Sequence, residues 1–154
     1  MSNAGTRWAF WYIIGAMTEP LRIVVDTNVV VSALWKPGSV PARALERVFA
    51  CARVVVDDRI LAEYRRTLEK PKLRRISQEA CEALLLVLER ASERVVVAER
   101  YTGPLDDEDD RAFVEVALAG RAHLLVTGNL KDFPSDAGFE VVPPAHLLAT
   151  LEGR

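Results

Sequence analysis

The 154-residue chain carries 22 acidic and 20 basic side chains, a net charge of −2, and hydrophobic residues at half of its positions. This is the composition of an ordinary soluble, one-domain globular protein with a substantial core. It excludes a global electrostatic attraction to nucleic acid, so any such contact must be local.

In chain order, the first feature is "RWAFWYIIGAM", with an apolar run from Trp8 to Met17. The run is shorter than the ~20 residues needed to cross a bilayer, so no membrane association is expected. A secretory signal would call for more than one preceding arginine and a clear A-x-A cleavage site. Residues 1–20 therefore read as an N-terminal extension or a cloning-derived segment, with "SNA" at 2–4 resembling a vector scar and Met17 a candidate natural start. Residues 21–152 read as a single domain. The two cysteines, Cys51 and Cys81, and the two histidines, His123 and His146, show neither disulfide-framework nor metal-ligand spacing, which favours a reduced, cytoplasmic setting.

From Leu21 onward, β-branched runs alternate with helical patterns. Strands are predicted at 22–26, 53–57, 94–98, 123–127 and 140–142. Helices are predicted at about 28–35, 41–51, 58–69, 78–92, 109–119 and 143–151. The third of these begins at an Asp57 or Asp58 cap and carries an apolar stripe of Ile60, Leu61, Tyr64 and Leu68; Gly120 ends the fifth. The valine run 29–31 is a poor helix former, so that helix depends on tertiary packing. The segment "CEALLLVLERA" is apolar almost all round, as expected of a helix wrapped in core or shared in a homodimer. This alternation predicts an α/β fold, a three-layer α/β/α sandwich around a mainly parallel sheet of about five strands.

"LRIVVDTNVVVSALW" places Asp26 and Asn28 inside an apolar stretch. A lone buried charge costs several kcal/mol unless it is paired, so Asp26 needs donors or a cation. In open parallel sheets ligands bind beyond the carboxyl ends of the strands, and Asp26 closes the first strand there. Thr127, Gly128 and Asn129 close the fourth strand on the same rim. Glu63 lies one turn into the helix after the second strand, and Asp107, Asp109 and Asp110 surround the start of the helix before the fourth. Clustered carboxylates must protonate or bind a cation. An all-oxygen set suits Mg2+ or Mn2+ rather than zinc, and such a cation is equipped for phosphate-ester chemistry. Taken singly, each element has a simpler reading: Asp26 as a helix cap, Glu63 as a solvated helix residue, and "DDEDD" as an acidic helix start.

In order along the chain, "VVDTNVVVSAL", "ILAEYRRTLEKPKL" and "LDDEDDRAFVEVALAGRAHLLVTGNLKDF" resemble the motifs of the PIN-domain family, a metal-dependent ribonuclease fold found in many bacterial toxin–antitoxin toxins. The resemblance spans about Leu21 to Leu151. It implies Asp26, Glu63 and Asp110 as metal-binding acids, with Asp107 a further catalytic acid. Spacing alone leaves open whether Asp109 or Asp110 points inward, and Asp110 is taken as the ligand. Asn28 is implied to orient Asp26 or a bound water, and Thr127 matches the family's hydroxyl residue. Asn129 stands where many relatives place a fourth aspartate, with Asp132 a substitute donor. One- and two-metal sites therefore both remain open.

For substrate, "YRRTLEKPKLRR" supplies Arg65, Arg66, Lys70, Lys72, Arg74 and Arg75 just after Glu63, with Lys36, Arg43, Arg47 and Lys131 as further candidates. The sequence shows no aromatic platform of the sequence-specific single-strand type. The resemblance implies a single-stranded RNA substrate and a small antitoxin partner. Two alternatives share the fold. One is a degenerate binding module without catalysis, suggested by Asn129. The other is a phosphoacceptor or phosphatase domain using Asp26, for which "DTN" lacks the second aspartate.

Overall fold

The computed structural model describes residues 19–153; the apolar run Trp8–Met17 lies outside them. Five strands, β1 (Arg22–Val25), β2 (Arg53–Val56), β3 (Glu93–Arg94), β4 (Leu124–Val126) and β5 (Glu140–Val142), form one sheet in the order β3-β2-β1-β4-β5, with every pairing parallel. Six helices connect and cover it: α1 (Thr27–Trp35), α2 (Val40–Cys51), α3 (Asp58–Leu68), α4 (Gln78–Ala91), α5 (Arg111–Ala119) and α6 (Pro144–Glu152).

The near-continuous apolar strands follow from burial on both faces. Ile23, Val24 and Val25 of β1 are wholly buried, as are Val55 and Val56 of β2 and Leu125 and Val126 of β4. From β1 the chain steps outward through β2 to β3, then crosses back to β4 and on to β5. Right-handed crossovers running in opposite directions put helices on both faces, giving the three-layer sandwich. The sense of stepping reverses between β1 and β4, and a crevice opens there at the carboxyl ends of the strands.

Two predicted elements differ. The strand expected at 94–98 shrinks to Glu93–Arg94, with one further bond from Val95 N to Val56 O (2.9 Å), after which the chain peels away. Val95 and Val97 still pack against the core while Val96 is exposed, so the alternation survives without a neighbouring strand to pair with. The helix expected at 109–119 starts instead with a 3-10 turn, Glu108–Asp110, because the Asp107 carboxylate accepts from Asp109 N (2.9 Å) and its carbonyl accepts from Asp110 N (3.1 Å). That turn puts Asp110 at the mouth of α5. The valine-rich α1 forms as expected, with Val29 and Val30 buried.

One tie sets α3 against the central strand. Tyr64 is fully buried and donates from its hydroxyl to the carbonyl of Val25 (2.5 Å), one residue before Asp26. Its ring leans on Phe113 of α5, with centroids 6.3 Å apart. Tyr64→Phe keeps the packing and loses the hydrogen bond, so urea unfolding is expected to give a loss of about 1–2 kcal/mol with an unchanged m-value.

Candidate active site

Asp26 follows β1 directly and is 7% exposed. Its backbone N–H donates to Val126 O (2.9 Å), which continues the β1–β4 ladder and fixes the carboxylate at the reversal point. One oxygen, Oδ1, accepts from Thr27 N (2.8 Å) and caps α1; the other, Oδ2, accepts from the Thr127 hydroxyl (2.7 Å) across from β4. Capping and site-facing roles thus coexist on one side chain. Burial raises the pKa of Asp26, the Thr127 and Thr27 hydrogen bonds counter it, and Asp132 and Glu63 add to the rise.

Thr127 is the hub. It is fully buried, donates to Asp26, and accepts from Asn129 N (3.0 Å) and Asn28 Nδ2 (3.4 Å). Asn28 uses its amide oxygen to hold Gly128 N (3.0 Å). Asn28 therefore acts on Asp26 through the Thr127 hydroxyl rather than by direct contact.

Asp26, Asn28, Glu63, Asp107, Asp109, Asp110, Asn129 and Asp132 all line one open cavity of about 660 Å³. Asp110 is half-buried whereas Asp109 is exposed, so Asp110 is the more inward of the pair. Burial first, then the charges of Asp26, Asp107, Asp132 and Asp109, push its pKa up to about 7. Glu63 is turned toward Arg66, with which it pairs, and accepts from the Thr67 hydroxyl (3.3 Å). Serving as a cation ligand requires Glu63 to share or leave Arg66.

The basic residues divide. Lys70 and Lys72 line the cavity, and Arg66 borders it through Glu63. Arg65 faces the α3–α4 groove instead and pairs with Glu82 (3.2 Å). Arg43 pairs with Glu152, and Arg47 donates to Leu151 O, both holding α2 against α6.

Sequence reasoning passed over three residues. Thr27, 8% exposed, lines the cavity with a buried hydroxyl that has no partner; its place in "DTN" was the available signal. Glu115 is 2% exposed on α5, binding Arg59 (2.7 Å) and Tyr101 N (2.8 Å). Burial pushes its carboxyl up, but Arg59, the Tyr101 N–H and Arg100 outweigh this and leave its pKa lowered. Arg59 lies one turn before Glu63 and Glu115 just over one turn after Asp110, so their ion pair ties together the two helices that present those acids. An acid between Val114 and Val116 in an apolar helix was the signal.

Does a divalent cation fit? The donors are all oxygen, Thr27 Oγ1 is an orphaned polar atom in the wall, and Asp110 resists losing its proton without a compensating charge. Among the described residues no three His, Cys, Asp or Glu side chains converge into a ready-made cage.

Comparison with known proteins agrees with this fold. The PIN domain profile matches residues 22–131. The chain belongs to the PIN-domain family. It is 30% identical over 112 residues to the uncharacterized protein MJ1680 of Methanocaldococcus jannaschii, covering 71% of each chain. Its fold is similar to a chain in the crystal structure of VapBC2 from Rickettsia felis bound to a DNA fragment from their promoter, with a TM-score of 0.58 and 19% identity over 80% of this chain and 98% of that one. No helix among the described residues is long and apolar enough to cross a membrane.

Because Asp110 has a pKa raised above its ordinary value of 3.8 to about 7, its contribution to stability is fully present below about 4 and is lost as pH rises through 7. Metal-free Asp110→Asn is therefore expected to exceed the parent protein by about 1–3 kcal/mol at pH 8, with the gap narrowing toward pH 5. Thermal unfolding at both pH values checks this. If Asp110 holds a cation, added Mn2+ or Mg2+ is expected to raise the midpoint of the parent protein and not of the variant.

Proposed function

We propose that this protein is a Mg2+- or Mn2+-dependent endoribonuclease that cleaves single-stranded RNA, the toxin of a toxin–antitoxin pair. The observation that carries the reading is the convergence of Asp26, Glu63, Asp107, Asp110 and Asp132 on one cavity, where burial and the neighbouring carboxylates push the Asp110 pKa up to about 7. Such a cluster holds charge that is relieved by protonation or by a bound cation, and a cation relieves it without giving up the carboxylates' charge.

Asp26, Glu63 and Asp110 would hold the cation, with Asp107 and Asp132 adding negative charge around it. When bound, the cation supplies Lewis-acid chemistry, lowering the pKa of water and drawing charge from the scissile phosphate. Thr127, fixed by Asn28 and Asn129 N, keeps Asp26 Oδ2 in one orientation. Lys70 and Lys72 counter the phosphate charge, and Arg66 exchanges Glu63 for a phosphate oxygen.

The toxin role rests on the family and on the fold shared with the VapBC2 chain. It brings with it a small antitoxin protein as partner and a cytoplasmic setting. Leu86 and Val87, both exposed on α4, support a homodimer. The catalytic unit is taken as residues 21–152.

The test is cleavage of a pool of single-stranded RNAs by antitoxin-free protein in Mn2+, Mg2+ or EDTA. Cleavage that needs the cation, and that falls at least about 100-fold in Asp26→Asn, equivalent to ~2.7 kcal/mol of barrier, is the expected result. RNA binding and metal binding without cleavage would instead favour a non-catalytic module, to which the neutral Asn129 lends weight.

A further inference from the structure

Trp35 ends α1 and lines the same cavity as Asp26, Glu63, Asp110, Lys70 and Lys72. It is 50% exposed and is the only exposed Phe, Tyr or Trp among the described residues. Of the large apolar side chains that face solvent, it alone borders the acids; Val40, Leu86, Val87, Val96, Leu118 and Leu130 lie elsewhere. Scattered exposed apolar residues need no explanation, but an indole at the rim of a charged cavity does.

We propose that Trp35 is the stacking platform for one unpaired nucleobase of the strand whose phosphate reaches the acids. The inference rests on the nuclease reading above and gives it a substrate-selecting residue. An indole face accepts any base, and a flanking ammonium from Lys70 or Lys72 takes the adjoining phosphate. Bases in a duplex are already stacked on one another, so the platform favours unpaired strands over paired ones.

The test compares kcat and KM in Mn2+ for cleavage of a labelled single-stranded RNA of about 12 nucleotides, within the usual site sizes for such strands. The same RNA is also supplied with one base at a time removed, and as a duplex. Trp35→Ala and Trp35→Leu are expected to raise KM roughly 5- to 100-fold with little change in kcat, while Trp35→Phe keeps most of the affinity. Removing the stacked base should raise KM in the parent protein and have no further effect in Trp35→Ala. The preference for single strands over duplex should shrink in Trp35→Ala as well. Equal performance of Trp35→Leu and Trp35→Phe would overturn the proposal, because the contact would then be merely apolar. So would normal cleavage by Trp35→Ala, including the case where light scattering shows an altered oligomeric state and marks Trp35 as a subunit contact. A parent protein that cleaves no RNA would overturn the nuclease reading and this inference together, an outcome distinct from the preceding two.

Discussion

The structure turns on mutual repulsion between carboxylates that the fold refuses to let separate. Asp26 is anchored by backbone and side-chain bonds at the end of the central strand, and Asp110 sits at the start of a helix against the same crevice. Asp107 and Asp132 approach on short turns and Glu63 from α3. Each is tolerable alone at a helix start or a solvent edge. Burial first, and then the charges of Asp26, Asp107, Asp132 and Asp109, hold Asp110 partly protonated near neutral pH. Such stored unfavourable energy is what a binding site offers to a ligand of opposite charge.

The surroundings explain how the cluster survives. Thr127 gives Asp26 a hydroxyl donor, and the α1 N-terminus gives it an amide, which offset part of its burial. The buried Tyr64 hydroxyl fastens α3 to β1, and the Arg59–Glu115 pair fastens α3 to α5. Glu115 also captures Tyr101 N, while Arg111 holds the carbonyls of Tyr101 and Gly103, so the irregular segment after β3 is tied to the same helix. A buried charge with its partners satisfied is a weak source of net stability but a strong source of definite geometry, which is the need here.

Charge is arranged locally rather than globally. The chain as a whole is slightly acidic, but its cavity sets a wall of carboxylates beside Lys70, Lys72 and Trp35. A cation recruited by the acids would convert the wall from repelling phosphate to attracting it, so metal and polyanion would assist each other's binding. This makes the net charge a poor guide to the partner of such a site.

By itself, the sequence determined the βα alternation and a mainly parallel sheet, and it marked the candidate acids, because burial of strands on both faces writes a continuous apolar run and each acid interrupts an otherwise legible pattern. Asp26 stood out for this reason. What tertiary structure decided was direction and distance. Whether Asp109 or Asp110 turns inward depended on a 3-10 turn closed by Asp107, a bond of local geometry that charge patterning does not encode. Arg65 and Arg66 are adjacent in sequence, yet one meets Glu82 and the other Glu63, since neighbours on a helix point about 100° apart. Val95–Val97 read as strand but had no further strand to pair with. Trp35 looked like the end of an apolar helix, and only the folding of α1 beside α3 brought its ring to the acids, because contact between residues far apart in the chain is a property of packing and not of periodicity.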